Sequence, residues 1–289
     1  MPTFPIKVGT EGVGKGLEKL ADLGKSLGVL AFGPSHRVRM AKADAEALLI
    51  QTGAEVEVEN IRQRAAYRLT QEAIRNQENI EAVYQEAVRF LPRQISDEPV
   101  SQDWASKFND RARFASDQEL RTVWARVLAS EVAKPNSVSP RTVALIDTMT
   151  GNDAKALESL LACAASVTGE NEEVLFLVRA ARGSTEESNK SIFGVEYTTF
   201  ENLRASGFVS AADDSHVGGS EGESLELLYD TIRLQFRNLA GSTTRLPIHL
   251  LTEPCRQIAL ALRVPPNQGF LDRLCEWAPT VGLSVSSPL

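Results

Sequence analysis

Between Pro34 and Pro92 the chain contains no proline, and Gly53 is the only glycine in that stretch. An interior proline destabilises a helix by about 3 kcal/mol and a glycine by about 1 kcal/mol relative to alanine. Their near absence, in a run rich in Ala, Glu, Gln, Arg and Leu, predicts one long helix. Unbroken, it would extend about 85 Å at 1.5 Å per residue. Ala54, Val58, Ile61, Ala65, Leu69, Ala73, Ile80, Tyr84, Ala87 and Leu91 recur mostly three or four apart and make one apolar stripe. The stripe advances by more than the about 3.5 residues of a regular left-handed coiled coil. A compact domain of ordinary size cannot cover it all. Ala54, Val58, Ile61, Ala65, Leu69 and Ala73 are therefore candidate self-association residues, with a second copy or another helical protein as partner. Arg62, Arg64, Arg68 and Arg75 lie among glutamates, which reads as a solvated face or as pairing between subunits.

Ser116 to Val132, SDQELRTVWARVLASEV, is the clearest single helix. Ser116 and Glu119 stand at capping-box spacing. Leu120, Val123, Trp124, Val127, Leu128 and Val132 share an apolar face, with Arg121, Arg126 and Glu131 off it. Lys134 and Pro135 supply a stop. A short helix with Trp104, Phe108 and Ala112 on one side precedes it. Ser139 with Pro140, and then Asn152 or Asp153, open two further helices. Together these predict a packed helical domain reaching about residue 168, with 172–182 ambiguous between helix and strand.

Residues 1–34 are glycine-rich. PTFPIKVGTEGVGKG has no hydrophobic period and lacks the full spacing of a phosphate loop. The following LEKLADLGKSLGVLAFG is amphipathic, with Leu17, Leu20, Leu23, Leu27, Leu30 and Phe32 toward one side. Its glycines weaken it in isolation, so it needs a surface. That surface is either its own protein or a second subunit, or a membrane interface; the six residues are candidate membrane or partner contacts.

After the polar stretch 183–191 the period changes. Thr198 and Glu201 form a second capping-box spacing, and Gly207 closes that helix. FVSA, LELLYD, IRLQFRN and PIHLLT read as strands. Thr252 and Asn267 open two more helices, and VGLSVSS closes as an edge strand. Helix, strand, hairpin and strand in this order suggest a small winged-helix-like unit. Arg204, Arg233, Arg237 and Arg245 are its candidate nucleic-acid contacts.

The formal net charge of -7 argues against a general nucleic-acid binder. A hydrophobic fraction of 43% with 24% charged residues fits a globular chain. Cys163, Cys255 and Cys275 have no paired spacing, which suits small buried thiols in a reducing compartment. His36, His216 and His249 stand far apart. No CxxC, HExxH, DxDxDG or GxSxG pattern occurs, so no catalytic, cofactor or metal residue is assigned. No signal-peptide pattern opens the chain and no apolar run reaches the ~18 residues of a membrane span.

AYRLTQEAIRNQENIEAV, the Asp103-Trp104 pair, SDQELRTVWARVLASEVAKPNSVSPRT and Asn152-Asp153-Ala154 stand in an order that resembles a bacterial domain-of-unknown-function family. Members of that family carry R-x-x-x-Q-E-x-x-x-Q-x-N-I-E and L-W-A-x-I-L-A-G-E-x-x-x-P-G-S-F-S-x-R-T stretches. Here Val123, Ser130 and Asn136 depart from the second pattern. FENLRASGFVS and LTEPCRQIALAL resemble the family's C-terminal layout, with Cys255 and Arg256 near its usual glycine. The layout is also similar to the abortive-infection protein Abi-alpha, which implies phage defence and brings no catalytic residues with it.

The sequence thus predicts a mainly α protein with a small winged-helix-like α+β domain. Its segments are an amphipathic stretch at 1–34, a long helix at 35–95, a helical core at 96–182 and the α+β domain at 183–289. The expected function is a non-enzymatic, self-associating scaffold or effector in antiviral defence, in the cytoplasm or at the inner-membrane surface. The alternative is a DNA-binding regulatory module acting through the C-terminal domain.

Overall fold

The computed structural model describes residues 11–28, 57–168, 173–179, 193–212, 215–218, 224–240 and 242–286. The chain divides into two units between Val143 and Ala144.

In the first unit α1 spans Glu11–Ser26 and α2 spans Glu57–Ala87, followed by a 3-10 turn at Val88–Phe90. Next come α3, Gln102–Ala112, and α4, Gln118–Ala133, and then α5, Pro140–Ile146, within which the division falls. The expected apolar face of α4 is buried at Val123, Trp124, Val127, Leu128 and Val132. Trp124 meets Phe108 edge-on at 5.2 Å, and Phe108 stacks on Trp104 at 5.0 Å. Such aromatic pairs contribute about 0.5–1.5 kcal/mol beyond the area they bury. The cap of α4 differs from the expected Ser116–Glu119 box. Asp117, one residue further on, accepts the N–H groups of Glu119 and Leu120 at 3.0 and 3.1 Å. A carboxylate is as good a cap as a hydroxyl and also suits the helix dipole.

The C-terminal half of α2 lies on this core. Val83, Tyr84 and Ala87 are fully buried, and the Tyr84 hydroxyl donates to Asn109 Oδ1 at 3.2 Å. Asn79 Nδ2 donates to Arg113 O at 2.9 Å, and Glu86 accepts from Thr122 Oγ1 at 2.6 Å. Leu20 and Leu23 of α1 are buried in the same unit. The Cα of Gly16 lies so close to Leu91 and Ile95 that an added Cβ would come within 3.0 Å of Leu91. A glycine is what permits that approach.

The second unit overturns the expected fold class. It is built on a seven-stranded antiparallel sheet, so the protein is not mainly α with a winged-helix-like appendage. Its elements are α6, Gly151–Leu161, then β1, Ala164–Thr168, and β2, Glu173–Val178. After these come α7, Tyr197–Ala205, β3, His216–Gly218, β4, Leu225–Tyr229, and β5, Ile232–Asn238. The last are β6, Arg245–Leu250, α8, Glu253–Leu262, α9, Gln268–Trp277, a 3-10 turn at Ala278–Val281, and β7, Leu283–Ser286. The strand order is β3-β6-β2-β1-β4-β5-β7.

The expected helical stretch therefore stops short of residue 168, because 164–168 forms β1. Ser166 pairs with Leu175 on one side and Leu228 on the other. Two neighbouring strands satisfy its backbone, and that outweighs the weak strand preference of Ala164 and Ala165. The ambiguous segment is β2, whose Phe176, Leu177 and Val178 are all buried, as suits a central strand. Strands β4 and β5 form a hairpin in which Tyr229 faces Ile232 across the two-residue turn Asp230-Thr231. Asp230 takes φ 53°, a conformation Asp tolerates in tight hairpin turns.

Helix caps in this unit are partly those expected. Thr252 accepts from Cys255 N, and Asn267 accepts from Phe270 N. Helix α6 begins earlier than expected, through a Thr150–Asp153 capping box. The expected Thr198–Glu201 box is absent: α7 starts after Glu196 with no side-chain cap. Glu201 instead lies 3.9 Å from Arg204 one turn on.

Candidate self-association surface

Helix α2 changes character halfway along. Asn79, Val83 and Ala87 are buried. Ile61, Ala65 and Leu69 precede them by eighteen residues each, which is about five helical turns, so all six lie on one line of the helix. Yet Ile61 is 56% and Leu69 60% exposed, with Ala65 half-buried between them. Among the described residues, the face that forms core in one half of the helix continues exposed along the other. Ala73 is also exposed, Ala54 lies outside the described residues, and nothing is described of the Val58 side chain. The bare part carries its own local bonds: Arg68 lies 3.8 Å from Glu72, and Arg64 Nε donates to Asn60 O at 3.2 Å.

The candidate membrane or partner residues of α1 are placed differently. Leu20 and Leu23 are buried by the first unit, Leu17 and Leu27 are half-buried, and Leu30 and Phe32 lie outside the described residues. No helix among the described residues is long and apolar enough to cross a membrane.

The four candidate nucleic-acid residues sit in the second unit. Arg204 donates to Ala211 O at 2.7 Å beside Glu201, and Arg233 pairs with Glu226 at 3.0 Å. Arg237, on β5, and Arg245, on β6, are exposed. The six strand pairings put β2, β1 and β4 between those two strands, so the structure does not gather the four arginines into one strip.

Sequence reasoning missed a buried polar knot in the first unit. Glu131, expected off the apolar face of α4, is 1% exposed. Its carboxylate accepts the N–H groups of Asn136 and Val138 at 2.7 and 2.9 Å. It thereby holds the turn after α4, where Asn136 adopts φ 68°. Trp104 Nε1 donates to Val138 O at 2.7 Å, fixing the same turn from the other side. Nearby, the Lys19 amine donates to the carbonyl oxygens of Ser96 and Val132, both at 3.1 Å, and to that of Glu98. Lys15 pairs with Asp97. Burial raises the Glu131 carboxyl above its ordinary range and lowers the Lys19 amine below its own. The available signal was the glutamate's place in the quoted LASEVAKPNSVS stretch, where a glutamate ahead of a proline turn can accept that turn's amides.

No group of three or more His, Cys, Asp or Glu residues among those described is arranged to hold a metal ion. Burial pushes the thiols of Cys163 and Cys255 up to about 12, so both are protonated at neutral pH. The exposed half of α2 carries Ile61, Ala65 and Leu69 in one line, with Arg64 and Arg68 exposed beside it.

Comparison with curated proteins and with solved structures gave no match. A family model described as "Protein of unknown function (DUF2806)" matches residues 63–275, and the chain belongs to that family.

Proposed function

We propose that this protein is a non-enzymatic, self-associating scaffold or effector in bacterial antiviral defence of the abortive-infection kind. The observation that carries the self-association is the bare face of α2. Ile61 and Leu69 extend, in phase, the line that Val83 and Ala87 bury. Covering a large aliphatic side chain fully contributes about 1.5–3 kcal/mol, so these half-exposed residues from two copies together supply several kcal/mol. Association itself costs about 4 kcal/mol or more. The balance favours a dissociable assembly, which suits an effector whose activity depends on local concentration. The defence role is supported by the similarity in layout to Abi-alpha.

Sedimentation velocity across about 1–100 μM tests the association. A mass that rises with concentration, and that falls to the monomer in Leu69→Lys, is expected. A constant monomer mass ends the reading. For the defence role, cells carrying the native chain should lower phage plating relative to cells carrying Leu69→Lys. Equal plating across a phage panel would remove it.

A further inference from the structure

We propose that α1 is a releasable strap: it undocks and unfolds in one step while α4 and the loop it grips at residues 96–98 stay folded. The device is independent of the association proposed above. Helix α1 is sixteen residues long, and Gly12, Gly14, Gly16 and Gly24 are four of them. A helix of that length is marginal in water even when rich in alanine, and each glycine weakens it further. Packing accounts for the glycine at 16 and not for the one at 14. A Cβ on Gly16 would lie 3.0 Å from Leu91 Cδ1 and 3.2 Å from Ile95 Cδ1, whereas one on Gly14 would meet nothing within 4 Å among the described residues. The helix is held folded by its seat, where Leu20 and Leu23 are buried, so leaving the seat dissolves the helix.

The seat does not need the strap in return. Among the described residues no backbone–backbone hydrogen bond joins α1 to the rest of the unit. Its polar links run through side chains: Lys15 to Asp97, Lys19 to the carbonyl oxygens of Ser96, Glu98 and Val132, and Ser26 Oγ to Gln102 Nε2 at 3.4 Å. The loop keeps its own bonds without them. Ser96 N–H donates to Ala133 O at 2.8 Å, and Glu98 N–H donates to Ser96 Oγ at 3.1 Å. Helix α4 keeps the edge-on packing of Trp124 against Phe108. Undocking therefore leaves the seat standing, with three carbonyl oxygens released to water and Leu91 and Ile95 uncovered where Gly16 had approached them. The two lysines are unequal latches. The Asp97 side chain is 96% exposed, so its pair with Lys15 adds little. Lys19 is the latch, because one charged amine serves three acceptors drawn from two separate stretches of chain.

Amide-resolved hydrogen exchange on the full chain tests the strap. Residues 15–23 should share one opening equilibrium, with protection about thirtyfold or more below that of residues 123–132. Gly14→Ala should raise protection across α1 about two- to fivefold and leave residues 123–132 unchanged. Lys15→Met should lower it less than about twofold, and Lys19→Met about tenfold. Equal protection in the two helices, or a Gly14→Ala that raises both alike, would show α1 opening only with the whole unit and overturns the proposal. Protection that climbs residue by residue from Glu11 would show fraying in place of one-step release and overturns it too. Equal effects of the two lysine variants overturn the assignment of the latch to Lys19.

Discussion

The Glu131 carboxylate accepts the backbone N–H of Val138 at 2.9 Å from a side chain that is 1% exposed. A buried carboxylate is tolerated here because the turn aims two amide groups at it, and this one side chain then fixes the chain's path as far as seven residues beyond it. Glu131→Gln replaces one accepting oxygen with a donor that faces donors, so it should destabilise the first unit by about 1.5–3 kcal/mol. The pH dependence follows from burial. The folded state holds the Glu131 proton above the ordinary 4.5, so the unfolded chain binds fewer protons in the window from 4.5 upward. The contribution of this group to stability therefore falls as pH rises through that window. Urea melts followed by Trp104 and Trp124 fluorescence should show a larger gap between native and Glu131→Gln at about pH 4 than at about pH 7. A gap that widens toward pH 7 would show that the amide bonds outweigh burial.

Lys19 fastens α1 by donating to three carbonyl oxygens, one of them Val132 O near the end of α4. Lys19→Met keeps most of the aliphatic stem and removes the donors. Hydrogen exchange over residues 11–26 should accelerate about tenfold, which corresponds to a loss of about 1.4 kcal/mol in local stability. Unchanged protection would mean that Leu20 and Leu23 hold the helix without the amine.

Tyr229 is fully buried on β4, and its hydroxyl has no hydrogen-bond partner among the described residues. Burial raises its ionisation far beyond the normal phenol range. Removing a buried, unsatisfied hydroxyl relieves a desolvation penalty. Tyr229→Phe should therefore leave the second unit as stable as before, or up to about 1 kcal/mol more so, in a denaturant melt read through Trp277. A loss of more than 1 kcal/mol would reveal a partner for that hydroxyl.

Leu69→Lys should change the stability of the first unit by less than about 0.5 kcal/mol, because the side chain is 60% exposed. The native chain at low micromolar concentration should melt at the same temperature as the variant. A clear drop would place Leu69 in a packed site and remove it from the proposed contact surface.

The first unit was largely legible because its signals are local. The spacing of Val123, Trp124, Val127 and Leu128 reports a helix face directly, and Trp104 and Phe108 fall one turn apart. Cap positions slipped where two good cap residues adjoin, as with Ser116 and Asp117. Glu131 was misplaced because side-chain periodicity carries no record of which amides a turn will present. The sheet was the larger failure. Strand β1 owes its state to pairing on both sides, and one of its partners, Leu228, lies far outside any local window around Ser166. On the surface of α2, the stripe was visible from spacing, but where burial by the described residues ends was not. That is set by Asn79 and Tyr84, through partners in α3 and the residue after it.

The pairing of β5 with β7 has a consequence for how the chain comes to its native state. Phe236 meets Val285, so a register formed by residues nearly fifty positions apart waits on the last strand. During synthesis the second unit cannot complete its sheet until residues 283–286 have left the ribosome, whereas the helices of the first can settle long before. Contacts this distant along the chain form slowly. In that interval Phe236 stands without Val285, and it is then, more than in the finished molecule, that the protein is most exposed to misassembly.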